Sequence, residues 1–191
     1  MNDELKKQLL CLARDYIACR FQHGKPEKPD APELQEKRGV FVTLHKRGEL
    51  RGCIGFIEGY KSIVDSVHEM AQSAAFHDPR FPPVRKDELD ELEIEISILS
   101  KMTPVKDTSE IVIGRDGLFI RHPRGSGLLL PQVPIEWNWD LDTYLKHICL
   151  KAGLHEGAWK DAGAQLFRFT ADVFSESDFL IDKNQSAENL D

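Results

Sequence analysis

No apolar stretch in this 191-residue chain comes near the roughly twenty residues that a membrane-crossing helix needs, so no membrane association is expected. The opening residues, Met1-Asn2-Asp3-Glu4-Leu5-Lys6-Lys7, turn amphipathic at once and do not start the apolar core of a secretion signal, which predicts a cytoplasmic protein. Cysteine is scarce. The four thiols, Cys11, Cys19, Cys53 and Cys149, form no C-x-x-C pair and no short-spaced cluster with histidine. A disulfide framework or structural zinc is therefore not expected, and no metal ligands are assigned. Positive charge is neither abundant nor massed: 25 Lys and Arg stand against 32 Asp and Glu, for a net charge of −7. No basic stripe is available to displace counterions from a phosphate backbone, so nucleic-acid binding is not expected. The chain also lacks the phosphate-loop, dinucleotide, nucleophile-elbow and H-E-x-x-H patterns, which leaves any cofactor unassigned.

What remains is ordinary in bulk. Hydrophobic residues at 41% and charged residues at 30% describe a globular chain long enough for one substantial core, or for a larger and a smaller lobe sharing an interface. A single domain over residues 1–181 with a flexible tail at 182–191 is the expected organisation, and the polar composition of the tail suggests fraying.

Periodicity then sets out the elements. Leu5, Leu9, Leu12, Ala13, Tyr16 and Ile17 share one face of a helix predicted over residues 3–22, with His23-Gly24 as its stop. The prolines at 26, 29 and 32 mark an extended connection. Val40 to His45, a Lys46-Arg47-Gly48 turn and Leu50 to Ile57 form a hairpin. Ser62 opens a second helix whose stripe is Ile63, Val64, Val67, Met70, Ala71, Ala74 and Ala75. Residues 92–100 alternate as a strand, with Leu92, Ile94, Ile96 and Ile98 inward and Glu93, Glu95 and Ser97 on the other face. Further on, Gly117-Leu118-Phe119-Ile120 echoes Gly39-Val40-Phe41-Val42 at a displacement of 78 residues. Leu50 and Leu128, and the helix starts Ser62 and Asp140, match at the same displacement. Gly125-Ser126-Gly127 is the expected tip of the second hairpin. The fold class is α+β, with a possible duplication of a hairpin-helix-strand unit.

The chemistry concentrates at Leu50-Arg51-Gly52-Cys53-Ile54-Gly55. Glycine inside a strand marks a bulge or a close backbone approach, and Gly52 and Gly55 bracket Cys53. An outward bulge beside Arg51 would favour a thiolate, which makes Cys53 the candidate nucleophile or contact residue. Buried packing of the thiol is the alternative. Arg51 and Arg80 are candidate anion contacts. The Phe76-His77-Asp78-Pro79-Arg80-Phe81 segment places Asp78 where it could act as an acid or base, or could cap its own turn and pair with Arg80. Glu95 is a further acid or base candidate, and Ser97 a ligand contact on the same strand face. Glu136, between prolines and the indoles of Trp137 and Trp139, suits a pocket wall.

Taken in order, Gly39-Val40-Phe41-Val42-Thr43-Leu44, Leu50-Arg51-Gly52-Cys53-Ile54-Gly55, Asp78-Pro79-Arg80-Phe81, Glu95-Ile96-Ser97-Ile98-Leu99-Ser100, Leu130-Pro131-Gln132-Val133 and Lys151-Ala152-Gly153-Leu154 resemble the AMMECR-type domain family, also called AmmeMemoRadiSam system protein A. The resemblance covers about residues 5–180. It implies an α+β fold with larger and smaller lobes, antiparallel sheets, and a cysteine turn near a cleft. It also implies association with a Memo-like protein and a radical S-adenosylmethionine protein. The family name carries a fold and a context, and no reaction. Two functions follow as expectations: a ligand- or modified-segment-binding enzyme component with Cys53 at its centre, or a noncatalytic adaptor in which Cys53 is structural.

Overall fold

The structure is a computed structural model that describes residues 1–22, 24 and 26–179. In chain order the elements are α1 (Asp3–Ala18), β1 (Val40–Lys46), β2 (Glu49–Phe56), α2 (Ile63–Phe76), β3 (Leu92–Leu99), β4 (Thr103–Pro104), β5 (Gly117–His122), β6 (Gly125–Leu129), α3 (Val133–Glu136), α4 (Leu141–Lys151), β7 (Gln165–Phe169) and β8 (Ala171–Ser175). They form two compact units, Met1–Ile98 with the segment from Asp172 onward, and Leu99–Ala171. The fold class is α+β, and the larger and smaller parts are as expected. No described helix is long and apolar enough to cross a membrane. The predicted tail at 182–191 and the predicted helix stop at His23 lie outside the described residues.

In the larger unit α1 starts at Asn2, whose side chain accepts from the Leu5 N–H at 2.9 Å. It stops at Ala18, four residues short of the expected end. There the N–H groups of Arg20 and Phe21 bond the carbonyls of Ile17 and Ala18, three residues back, so the chain tightens out of the α-helix. The predicted apolar face is buried at every position. Arg14, on the same helix, is also buried. It binds both Glu176 oxygens, at 2.5 and 2.6 Å, and the carbonyls of Leu89 and Leu92, while Glu176 accepts from the Ile94 N–H. One ion pair thus ties the first helix to β3 and to the end of β8.

The hairpin turn is Arg47-Gly48, with φ of 54° and 82°. Positive φ at both central residues gives the twist that suits a two-residue hairpin, and glycine takes it without strain. α2 begins where predicted, with the Ser62 hydroxyl accepting from the Asp65 N–H. The sheet runs β2-β1-β3-β8, with β1 antiparallel to both β2 and β3. Its inner face, Val40, Val42, Leu44, Ile94, Ile96 and Ile98, packs with the apolar stripes of α1 and α2 in one core. Burying each such aliphatic side chain is worth about 1.5–3 kcal/mol, which is why the alternating pattern fixes the face.

The smaller unit repeats this layout on its own core. Its sheet runs β4-β7-β5-β6, and α4 packs Tyr144, Leu145 and Ile148 against Leu118, Ile120, Leu129 and Leu166. Asp140 caps α4 by accepting from the Thr143 N–H at 2.8 Å. One expectation is corrected: the hairpin turn is Pro123-Arg124, and Gly125-Ser126-Gly127 begins β6. Proline's fixed φ suits the first corner of a turn, which moves the tip two residues earlier. The two sheets share a strand order; that likeness is one of topology and does not establish a duplication.

Candidate functional site

β1 and β2 leave their turn in register, with Lys46 opposite Glu49 and His45 opposite Leu50. Arg51 is then left unpaired, and Leu44 faces Gly52. Had the first register continued, Cys53 would stand opposite Val42 and point into the core. A one-residue slip exchanges the two faces of a strand, and the bulge at Arg51 supplies that slip. Cys53 therefore stands opposite Thr43, which in turn faces Glu95. The three side chains form a row on the sheet face that points away from α1 and α2. Gly55, Phe41 and Ser97 form the next row.

The Cys53 thiol is half-buried and accepts a hydrogen bond from the Thr43 hydroxyl at 3.3 Å. Its peptide is held as well. β2 is an edge strand, and the outward N–H and C=O of such a strand need partners. At Cys53 the N–H donates to Asp78 Oδ2 at 2.9 Å, and the C=O accepts from the Arg80 guanidinium at 3.0 Å. Asp78 is only 4% exposed. Its Oδ1 also accepts from the Arg80 N–H at 3.1 Å and Nε at 2.9 Å, and its Oδ2 from the guanidinium at 2.6 Å. The Arg80 side chain, then the backbone N–H donors, hold this carboxyl far below the usual range, against burial. The Arg80 side chain remains 54% exposed.

The two glycines have partners inside the same unit. A Cβ on Gly52 would lie 2.2 Å from the Ala74 carbonyl oxygen of α2, and one on Gly55 would lie 2.3 Å from the Phe41 ring. Both therefore make room for the protein's own atoms, a helix backbone in one case and an aromatic ring in the other. Arg51 is likewise committed. It pairs with both Glu88 oxygens, at 3.2 and 3.0 Å, and donates to the Pro82 carbonyl at 2.8 Å. Glu88 also accepts from Lys46 and from the Arg85 N–H. Chiefly through Arg51, its pKa is lowered from 4.5 to about 2.

The sequence candidates thus fall into three groups. Cys53, Asp78 and Arg80 are joined directly by hydrogen bonds, and Glu95 shares the Cys53 row one strand beyond Thr43. Arg51 meets Glu88, Gly52 lies against Ala74 and Gly55 against Phe41, while Ser97 is buried in the adjacent row. Glu136 ends α3 in the other unit, exposed to solvent. Two residues of the assembly were not singled out from sequence. Thr43 looks like any strand threonine until the bulge places it opposite the thiol, and Glu88 sits in an acidic run that gives no sign of its arginine partner. Among the described residues, no three His, Cys, Asp or Glu side chains are grouped as metal ligands would be.

Comparison with known proteins places this architecture. The AMMECR1 family model matches residues 10–174. A protein of Thermococcus gammatolerans is 43% identical over 189 residues, covering 92% of each chain. Protein MJ0810 of Methanocaldococcus jannaschii is 48% identical over 154 residues, covering 76% of this chain and 77% of the relative. The crystal structure of the uncharacterised protein PH0010 from Pyrococcus horikoshii superposes with a TM-score of 0.83 at 39% identity, covering 92% of this chain and 93% of that one. With the match spanning the cysteine hairpin, the Asp78-Arg80 loop and both sheets, the chain belongs to the AMMECR1 family.

Proposed function

We propose that the chain binds a small ligand or a modified protein segment at the Cys53 row, with the thiol as the contacting or reacting atom, as a component acting with a Memo-like and a radical S-adenosylmethionine protein in the cytoplasm. The partners come from the family resemblance. The observation that carries the binding reading is the double tether of the Cys53 peptide. A packing thiol needs no such frame, whereas a thiol that must meet a partner at a fixed angle gains from one. In this reading Asp78 and Arg80 position the turn. Asp78, with both oxygens occupied, holds Cys53 in place and does not take a proton from it. Glu95 borders the ligand from the same row, and the exposed edge of Arg80 is left to meet it.

The test is site-resolved alkylation of the native protein with iodoacetamide, followed by mass spectrometry. Cys53 should be modified faster than Cys11, Cys19 and Cys149, and Asp78→Ala should abolish its lead. Labelling of Cys53 no faster than of the half-buried Cys11 and Cys19 would sink the reading.

A noncatalytic adaptor is the second reading, and the saturation of Asp78 favours it, since that carboxylate is not available as a base. Here Cys53→Ala leaves capture of a Memo-like partner intact, while Arg80→Ala weakens it. A capture assay in which only Cys53→Ala loses the partner rejects this version.

A further inference from the structure

The smaller unit carries an aromatic surface that takes no part in the Cys53 row. After α3 the chain turns through Asn138, with φ of 51°, and the N–H groups of Trp137 and Trp139 bond the carbonyls of Val133 and Pro134 at 3.2 and 2.8 Å. Asparagine is among the few residues that enter this left-handed region readily. The turn holds two indoles in a graded stack. Trp139 packs on the core of the unit and lies on the His147 ring of α4, with centroids 3.9 Å apart and planes 13° apart. Trp137 follows at 6.4 Å and 22°, and is 68% exposed. Ile135, two residues earlier, is 60% exposed.

Three observations define what this surface suits. Single exposed apolar residues are common, but large ones close together on a fixed backbone mark a binding surface. The charge beside them is negative: Glu136, Asp140 and Asp142 are all exposed and form no ion pair among the described residues. Lys146 is near enough for its charge to act on Asp140, which still leaves carboxylates in excess. Arg115, next to the Gly114 that lies beside Ile135, is held by Asp116 at 2.6 Å. The third observation is a contrast with Trp159, over whose ring the protein sets its own Lys160 Nζ, 4.7 Å from the centroid. Among the described residues no lysine or arginine lies over Trp137. An indole face attracts a cation through its ring quadrupole, and nearby carboxylates add to that attraction.

We propose that this surface docks a basic segment of a partner protein, with an arginine against Trp137. A guanidinium is planar and weakly hydrated, so it lies flat on the exposed indole while its N–H groups donate to a carboxylate of the 136–142 segment. The surface is open, so a free cation would gain a single face, whereas a peptide segment covers Ile135 as well. A phosphate backbone would be repelled by the same carboxylates. The site shares no residue with the Cys53 row, so either can fail alone.

Isothermal titration calorimetry of the full chain tests it, with an acetylated peptide amide of four Gly-Arg repeats and the same peptide carrying citrulline, which keeps the planar group and removes the charge. The arginine peptide should bind below millimolar concentration, and the citrulline peptide at least about tenfold more weakly. Trp137→Leu keeps an apolar side chain and removes the ring. At so exposed a position it should leave Tm unchanged and weaken the arginine peptide about tenfold. Glu136→Gln, also exposed, should weaken it about threefold, and Trp159→Phe, at the indole already covered by Lys160, should not weaken it. No binding of the arginine peptide up to millimolar concentration, equal affinity for the citrulline peptide, undiminished affinity in Trp137→Leu or Glu136→Gln, or an equal loss in Trp159→Phe would each overturn the proposal. A wild-type dimer in sedimentation that Trp137→Leu dissolves would overturn it too, since a second copy would then be the occupant.

Discussion

The two hairpins of this protein stand in the same place in their sheets and are built to different ends. In each unit the second hairpin strand lies at an edge, the first lies inside it, and the strand after the helix comes next. The first strands and the helix caps correspond at the displacement seen in the sequence, Gly39 to Gly117 and Ser62 to Asp140. Pairing shows that the second strands do not. Thr43 faces Cys53, and Arg121, 78 residues on, faces Ser126, so β2 and β6 are displaced by 73 residues and Gly52 corresponds to Gly125. The apparent match of Leu50 with Leu128 is therefore accidental. The corrected alignment has a physical counterpart: a Cβ on Gly52 would strike the Ala74 carbonyl, and one on Gly125 would strike that of Ala152, which lies 78 residues beyond Ala74. Each unit uses a glycine to bring its edge strand against a helix carbonyl. In the larger unit alone, a bulge extends the strand and sets a tethered cysteine where the other has an exposed serine. The shared parts are architecture, and the added ones belong to the candidate site.

In both units the connection after the helix returns a carboxylate to the hairpin, and these carboxylates differ most in burial. Glu88 is 7% exposed and satisfies Arg51 and Lys46, whereas Asp161 meets Arg124, His122 and His155 near solvent. Removing one partner of a buried pair strands the other charge. Glu88→Ala should therefore cost about 3–5 kcal/mol by urea unfolding, and Asp161→Ala should barely move the midpoint. Comparable losses would break the contrast. The glycines are expected to behave alike. Gly52→Ala and Gly125→Ala should each cost about 1–3 kcal/mol through overpacking against backbone that cannot swing aside. If only Gly52→Ala destabilises, the alignment of the strands is wrong.

Acid sharpens the same comparison. Glu88 has its folded pKa lowered from 4.5 to about 2, so between those values the unfolded chain binds more protons than the folded one. Its contribution is complete above pH 4.5 and is lost as pH falls through about 2, so stability rises with pH across that window. Asp78 is shifted in the same direction. Thermal midpoints recorded from pH 2 to 5 should rise less steeply for Glu88→Gln than for wild type, while Asp161→Asn, which removes a solvent-screened carboxyl lowered in the same direction chiefly by His155, should change the slope less. Parallel curves for Glu88→Gln and wild type would show that the buried cluster does not set the acid limb.

The elements were legible because each has a local cause. Alternation at Leu92 to Ile98 and the helical spacing from Ile63 to Ala75 reflect burial of one face, and Ser62 and Asp140 cap through atoms three residues away. The Asp78–Arg80 contact was legible for the same reason, being two residues long. What sequence could not show was anything set by register. Gly52 and Gly55 signalled missing space, but a helix carbonyl and the Phe41 ring fill it. Arg51 suggested an anion site, and its anion is Glu88, 37 residues away. Cys53 could have faced either side until Arg51 was seen to bulge.

That last dependence yields the finest test, because it separates a thiol's frame from its exposure. Ser126 occupies the Cys53 position of the smaller unit, is exposed, and has none of the Asp78–Arg80 tethering. In a Cys53→Ser background, Ser126→Cys places a thiol in the matching register with better access. If access alone governs reactivity, the new thiol should react with iodoacetamide faster than Cys53 does in the wild type. If the fixed peptide and the Thr43 hydroxyl prepare the sulfur for a partner, half-buried Cys53 should keep the higher rate, and Thr43→Val should remove its advantage without unfolding the protein. The ranking of two rate constants, measured under one condition, therefore decides whether the bulge serves chemistry or only shape.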